Sequence, residues 1–337
     1  MSAPNDIILF HYPFSPYARR ITWYLAFRGI EYAQCLQPPV PPREDLSALG
    51  VAYRRIPVMS IGRDIYCDTR LQLRKLEARF SSAPFGNLSN TTDPAAKGLE
   101  RLLEKWTVDA GIFWRVASLI PLDFPVMKDE KFLKDRESFS GKSWNVDDIA
   151  RGRPESAAHI VEAFTLLETT LLADGRDWIL GSEKPSLADI EAIWPFDWIM
   201  ELGGLPAESI SEKRFPKVFA WVERFRGALK AAKASAPKPV TLKGADAVKY
   251  VTGADFVEKE GEVDSHDPLG LKEGTNVQVW PIDSGFNSKD QGRLVKLTLE
   301  EVALASQTKV GGKEVHIHMP RWGFRIVEAT GGAGAKI

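Results

Sequence analysis

Apolar and polar positions follow two periods in the first part of the chain and mostly one thereafter. Ile7-Ile8-Leu9-Phe10 is a short unbroken apolar run, the pattern of a strand buried on both faces. From Tyr17 to Arg28 the spacing of Ile21, Tyr24, Leu25 and Arg28 predicts one helix face, closed by Gly29. Ile30 to Leu36 reads as a second strand parallel to the first. After the Pro-rich loop Pro38–Pro42 come a polar helix over Glu44–Leu49 and a strand at Arg55–Ile61. A Gly62-Arg63-Asp64 hairpin leads to a strand at Asp64–Tyr66, and a helix over Thr69–Phe80 follows. The order βαβαββα over residues 1–80 predicts a compact α/β domain.

Ser81 to Pro94 is a linker rich in Ser, Asn, Thr, Pro and Gly. Residues 93–233 then read as all-helical. One helix is predicted from Ala95 to Leu119, with Leu99, Leu103, Trp106, Ala110, Phe113 and Trp114 near one stripe. Pro121 to Pro154 reads as an irregular polar connection, hence a lid or entrance. The next helix carries Ile160, Phe164, Leu167 and Leu171. Ser186 and Asp189 form a capping box opening a helix with Ile193, Trp194 and Trp198, and the simplest role for that box is to nucleate a buried helix. The last helix is predicted over Lys217–Ala232.

Ala234 to Pro239 breaks the helical pattern, and residues 240–330 read as a small β-rich, barrel-like domain. Alternation is clear in Val277-Gln278-Val279-Trp280, Val295-Lys296-Leu297 and Val315-His316-Ile317-His318-Met319. The Gly/Ala-rich tail from Gly331 is expected to fray.

Composition narrows the function. The 337 residues are enough for two or three domains, and 44% are hydrophobic. With 44 basic and 45 acidic residues the net charge is −1, so no surplus of cations favours nucleic acid or a membrane surface. The two cysteines, Cys35 and Cys67, are too few for a disulfide framework and read as buried, reduced thiols of a cytoplasmic protein. No signal peptide or membrane span is expected, and the sequons at Asn87 and Asn90 read as part of the polar linker.

Three features of the first domain converge on chemistry. Ser15-Pro16-Tyr17 stands at a strand-to-helix turn, where helix N–H groups favour negative charge. Ser15 there is either a plain helix cap or a hydroxyl aimed at a nucleophile; His11, Tyr12 and Tyr17 compete with it for the second role. Ile56-Pro57 puts a proline at a strand entrance, and a cis bond would leave the Ile56 backbone open to an extended peptide. Asp68-Thr69 offers a carboxylate and a hydroxyl at a third helix start. His316 and His318 share a strand face and read as packing or surface histidines, with no metal expected.

On these residues, Ile7 to Ala232 resembles the glutathione transferases. The first eighty residues resemble their thioredoxin-like domain, and the Ser186/Asp189 box their helical domain. The strings Gly270-Leu271-Lys272, Val279-Trp280-Pro281, Asp283-Ser284-Gly285 and Pro320-Arg321…Gly323-Phe324-Arg325-Ile326 are similar to a fungal type with an added C-terminal segment. The fold implied is multidomain α+β: a thioredoxin-like domain, an all-α domain and a small β-rich appendage. The resemblance implies that Ser15 activates the glutathione thiol, that Ile56 before cis-Pro57 pairs with the cysteinyl backbone, and that Asp68 and Thr69 hold the γ-glutamyl group. It puts Arg55 near the glycyl end and implies a homodimer. A hydrophobic electrophile would lie over an apolar shelf for which Tyr17, Trp106, Phe113 and Trp114 are the candidates. Arg70 departs from the family, which usually has a small or apolar residue there. The expected activity is a glutathione-dependent transferase. The alternatives are a glutathione-dependent isomerase or lyase, and a non-catalytic binding or regulatory module.

Overall fold

The computed structural model describes residues 3–82, 86–89, 92–259 and 261–329. Asn90 and Thr91 of the second sequon, and the tail from Gly331, lie outside the described residues. Strand β1 (Ile7–His11) runs into helix α1 (Pro16–Arg28), followed by β2 (Ala33–Leu36), α2 (Glu44–Ala48), β3 (Val58–Ile61), β4 (Asp64–Cys67) and α3 (Thr69–Arg79). This is the expected βαβαββα order. β1 pairs parallel with β2 and antiparallel with β3, and β3 pairs antiparallel with β4. Successive residues of β1 face different cores. Ile7 and Leu9 pack toward the helical region, whereas Ile8 and Phe10 join the core under α2. A strand covered on both sides needs the continuous apolar run that it has.

The helical region differs from expectation in three places. The long helix expected from Ala95 to Leu119 is two, α4 (Pro94–Val108) and α5 (Ile112–Ala117). They are separated at Gly111, whose φ of 87° is a left-handed conformation that glycine adopts without a Cβ clash. The stretch expected to be irregular contains α6 (Glu130–Ser140), capped by Asp129. The helix expected to start beyond Pro154 is α7 (Val146–Leu166), which begins at the Asn145 cap and runs through that proline. α8 (Leu187–Glu201) opens with the complete Ser186/Asp189 box. Asp189 is fully buried and also accepts from the Ile179 N–H (3.0 Å) and the Trp221 indole (2.9 Å), so it ties three segments together. α9 (Pro216–Ser235) completes the region.

Beyond it lie β5 (Val240–Thr241), α10 (Gly244–Gly253), β6 (Glu262–Val263), β7 (Asn276–Pro281), β8 (Asp290–Leu297), β9 (Glu301–Gln307), β10 (Glu314–Pro320) and β11 (Phe324–Glu328). The segment is β-rich, as expected, but among the described residues it does not close on itself as a barrel. Its strands prolong the first domain's sheet in the order β11-β7-β8-β9-β10-β4-β3-β1-β2-β5, with β6 beside β8. The joint is the parallel pairing of β10 with β4, His316 opposite Asp64, Ile317 opposite Ile65 and His318 opposite Tyr66. Val315, Ile317 and Met319 share one core with Ile65, Cys67 and Phe10. The sheet edge that β4 would otherwise expose is thereby paired.

Candidate functional site

A cavity of about 450 Å³ opens between the sheet's first strands and helices α5, α6 and α8. Ser15, Tyr17, Arg55, Ile56, Pro57, Asp68, Thr69, Phe113 and Trp114 all line it. Of the residues predicted for the site, Trp106 is missing from its wall, as is His11, one of the rivals of Ser15. Its ring packs on Phe196, 5.7 Å away, and of the predicted aromatic shelf on α4 and α5 it is Phe113 and Trp114, beyond the break, that reach the cavity. Phe113 stacks on Trp194 and Trp198, and Tyr17 lies between Phe113 and Trp194 at 4.8 and 4.6 Å. Burial holds the Tyr17 phenol well above the ordinary range, so it stays protonated.

Ser15 is the cap of α1. Its Oγ accepts from the Ala18 N–H at 3.3 Å, and Pro16 occupies the first helical position, where no N–H is wasted. The cap uses a lone pair of the hydroxyl and leaves its proton uncommitted. Capping a helix and donating to an anion are therefore compatible in one serine. Tyr12 also lines the cavity, but His11 does not: its Nε2 pairs with Gln34 Oε1 at 3.0 Å, on the β2 side. The Ile56–Pro57 bond is cis. The β1–β3 ladder begins at Val58 opposite Phe10, so Ile56 lies just beyond its end, at the cavity wall.

The third helix start is already heavily engaged. Asp68 caps α3, accepting from the Arg70 N–H at 3.0 Å, and the Arg70 guanidinium grips the same carboxylate through Nε (2.9 Å) and a terminal nitrogen (3.0 Å). Against the cost of burial, the Arg70 charge and hydrogen bonds hold the Asp68 carboxyl well below the usual range. Arg70 also pairs with Asp109 at 2.8 Å. The Thr69 hydroxyl accepts from Arg20, which forms a buried ion pair with Glu191.

The β-rich segment touches this site through the strings that marked it in the sequence. Arg55 donates to the Ser284 carbonyl at 2.7 Å, pairs with Asp283, and comes within 3.7 Å of Asp68. Trp322, in the turn between β10 and β11, donates to Asp109 and stacks on the Lys105 ammonium. The connection from α2 to β3 is clamped as well. Asp290 accepts from the Ala52 N–H at 2.6 Å and from Tyr53, Lys309 donates its N–H to the Ala48 carbonyl, and Gly50 lies so close to the Gln307 carbonyl that a Cβ would stand 2.6 Å away. Burial pushes the Asp290 carboxyl up to about 7. Asp290→Ala is expected to cost about 1–3 kcal/mol, the penalty of two orphaned amides, and to speed hydrogen exchange at Ala52 and Tyr53. Unchanged protection at those amides would show that the clamp does not depend on Asp290.

Sequence reasoning missed Tyr53, Arg43 and Arg54, and the side chains that α6 and its flanks send into the cavity: Phe124, Phe132, Arg136, Phe139 and Trp144. The signal was present in the seven-residue spacing of Phe132 and Phe139, two turns of one helix face, inside a stretch read as irregular. His316 and His318 are both buried. His318 bridges Asp64 (2.8 Å) and Glu301 (2.5 Å).

Residues 9–84 match the family described as Glutathione S-transferase, N-terminal domain, and residues 115–234 match Domain of unknown function (DUF7962). The first domain is thus similar to the N-terminal domain of the glutathione S-transferases, and the solved structures show the same fold. Among solved structures, a GST-like protein from Pseudomonas syringae is 25% identical, with a TM-score of 0.67 over 96% of this chain and 100% of that one. That likeness extends through the β-rich segment. A glutathione S-transferase from Sinorhizobium meliloti 1021 is 18% identical, with a TM-score of 0.50 over 68% of this chain and 92% of that one. A glutathione S-transferase from Methylobacillus flagellatus KT, with GSH bound in that protein, is 18% identical over 69% of this chain and 100% of that one, with a TM-score of 0.45. No curated protein matches the chain. Among the described residues, no helix is long and apolar enough to cross a membrane.

Proposed function

We propose that the chain is a glutathione-dependent transferase in which the Ser15 hydroxyl donates a hydrogen bond to the glutathione thiolate, the thiol proton passing to solvent. Ile56 presents its backbone to the cysteinyl residue, and Asp68 and Thr69 receive the γ-glutamyl head group, with Arg55, expected at the glycyl end, standing 3.7 Å from Asp68 at the γ-glutamyl end instead. The observation that carries this reading is that Ser15, Ile56, Asp68 and Thr69 line one cavity, which continues over Tyr17, Phe113 and Trp114. A thiol with a pKa near 8.5 is only a few per cent thiolate at neutral pH. A hydroxyl donor at a helix N-terminus that lowers it by about two units supplies about 2.7 kcal/mol. The thiolate then attacks a hydrophobic electrophile lying on the aromatic wall, and the leaving group departs with the electron pair of the broken bond.

Two substitutions separate the cap from the chemistry. Ser15→Ala removes both, and is expected to lower kcat/KM for an aryl halide about a hundredfold while costing about 1 kcal/mol of stability. Ser15→Asp keeps a capping oxygen and puts a negative charge beside the sulfur, so conjugation falls as far while the cap survives. Undiminished conjugation in both variants would make Ser15 a cap and nothing more.

A non-catalytic binding module is the second reading. The specific observation in its favour is that Arg70 already neutralises Asp68 and Arg20 already holds Thr69. Titration of the wild type with glutathione decides: absence of both binding and conjugation would exclude the transferase.

A further inference from the structure

Strand register brings three ligand-type side chains together at the joint of the sheet. His316 and His318 share one face of β10, and the parallel pairing sets His316 opposite Asp64 of β4. Asp64 therefore stands on the face that carries both imidazoles, and all three residues are almost completely buried. The carboxylate divides its oxygens. Oδ2 accepts from the N–H groups of Val257 (2.6 Å) and Glu258 (3.2 Å), while Oδ1 lies 2.8 Å from His318 Nε2 and 3.5 Å from His316 Nδ1. One donor atom from each of the three residues lies within 4.8 Å of the other two. A tetrahedral ion with bonds of about 2.0–2.1 Å spaces its ligand atoms roughly 3.3 Å apart, between the two separations at Oδ1.

The surroundings hold these groups as metal ligands are held. His318 turns its other nitrogen, Nδ1, to Glu301 at 2.5 Å, an arrangement that fixes the ring and directs an Nε2 lone pair at the cluster. Phe256 stacks on His316 at 4.0 Å and Tyr66 on His318 at 4.8 Å. Glu258, Glu301 and His318 form a second group of similar spacing, but Lys75 and Lys296 already pair with both of its carboxylates. Among the described residues, the side-chain cations that pair with Asp64 are the two histidines themselves.

We propose that Asp64, His316 and His318 bind a divalent metal ion of the zinc type, which fastens β10 to β4. Two imidazole nitrogens and one carboxylate oxygen suit zinc, whereas magnesium and calcium call for oxygen ligands throughout. None of the three residues lines the cavity beside Ser15, so the ion joins the β-rich segment to the first domain and takes no part in chemistry there. The ion and the Nε2 proton are alternative occupants of one place: without the ion, that proton spans the gap from His318 to Asp64. The site does not rest on the glutathione reading.

The test uses the full untagged chain, stripped with EDTA and then freed of it. Because the site is enclosed, zinc chloride is added both to the native protein and during refolding from urea. The wild type is expected to take up an equimolar amount of zinc and to show a raised urea midpoint, since an ion bound by the folded chain stabilises it. His316→Gln should weaken zinc about a hundredfold, and Glu301→Gln, acting through the ring it orients, about tenfold. His266→Gln, on an exposed loop beside Asp264, should leave affinity within about twofold. The imidazole nitrogen resonances of His316 and His318 should both move when zinc is added to the wild type, a readout that needs no variant. Failure of the wild type to take up zinc by either route would overturn the proposal. So would unchanged affinity in His316→Gln, loss of binding in His266→Gln, or zinc uptake that leaves both sets of resonances in place. Glutathione titration enters none of these outcomes, so a failure of the transferase reading is read separately.

Discussion

His318→Leu is expected to destabilise the protein by about 3–5 kcal/mol in urea unfolding near pH 6, and by much less in alkali. His318 lies in β10 with both ring nitrogens facing carboxylates, Asp64 of β4 on one side and Glu301 of β9 on the other. Only the imidazolium can donate to both. Burial alone would lower its pKa, but the hydrogen bonds and charges of Asp64 and Glu301 outweigh burial and raise it. The same ring holds the Asp64 carboxyl well below its ordinary value, and that of Glu301 down to about 2, against the opposing effect of burial on each. Lys75 and Lys296 each pair with both Glu301 and Glu258, and the Val257 N–H donates to Asp64. A raised histidine pKa gives stability that is complete below the unfolded value of about 6.5 and is lost as pH climbs through the folded value. Depressed carboxyl pKa values give stability that is complete above about 4 and is lost as pH falls through the folded values. The joint between β4 and β10 is therefore strongest from about pH 4 to about pH 6.5, and weakens from there up to the raised pKa of His318. Urea curves at about pH 6 and about pH 10 should converge for the wild type and variant at the higher pH. A constant gap between them at both pH values would refute the imidazolium bridge.

That joint also marks the limit of what the chain discloses about its own fold. The β1–α1 turn, the Ser186/Asp189 box and the Gly29 stop are local: each is decided by residues within one helical turn, and each was legible. The alternation through Val315–Met319 was legible as a strand, and His316 and His318 as one face of it. Nothing within reach of that strand says that the face meets Asp64, whose partner residue lies more than two hundred positions away and pairs in parallel. A free-standing barrel was the economical reading because turns at Gly285 and Gly311 look the same in an isolated barrel and in an extension of another sheet. The same reason hid the arginines of the cavity. Arg54 and Arg136 read as ordinary surface charges until α6 is laid against the strand entrance. Trp106, by contrast, was misplaced because α4 ends at Val108, so that Phe113 and Trp114 belong to a second helix and not to its stripe. Site residues carried by the strand-turn-helix geometry could be named from the sequence; residues delivered by helix packing could not.

Arg70→Met is expected to do two opposite things, and both follow from how Asp68 is held. Asp68 and Arg70 are almost completely buried, and their two-point contact is the main compensation for burying the carboxylate. With methionine in its place Asp68 keeps the backbone N–H of residue 70 and the more distant Arg55, so the fold should lose about 3–5 kcal/mol, the usual result of breaking one half of a buried pair. The depressed pKa of Asp68 makes this loss largest above about pH 4, where the unfolded carboxyl is ionised, and makes it shrink as pH falls through the folded value. Glutathione should respond the other way. On the proposed reading its γ-glutamyl ammonium would compete with the Arg70 guanidinium for one carboxylate, and removing the competitor should tighten binding by about tenfold, or 1.4 kcal/mol. Calorimetry with glutathione beside urea unfolding of the same variant reads both effects. If affinity and stability fall together, Arg70 is part of the head-group site and not its competitor. If stability falls while affinity rises, this departure from the family pattern acts as a counter-ion built into the chain, stabilising a buried carboxylate and weakening the ligand that the carboxylate would receive. Ser15 then works at the thiol end of a site whose occupancy is governed from the other end, by the partner that Asp68 already has.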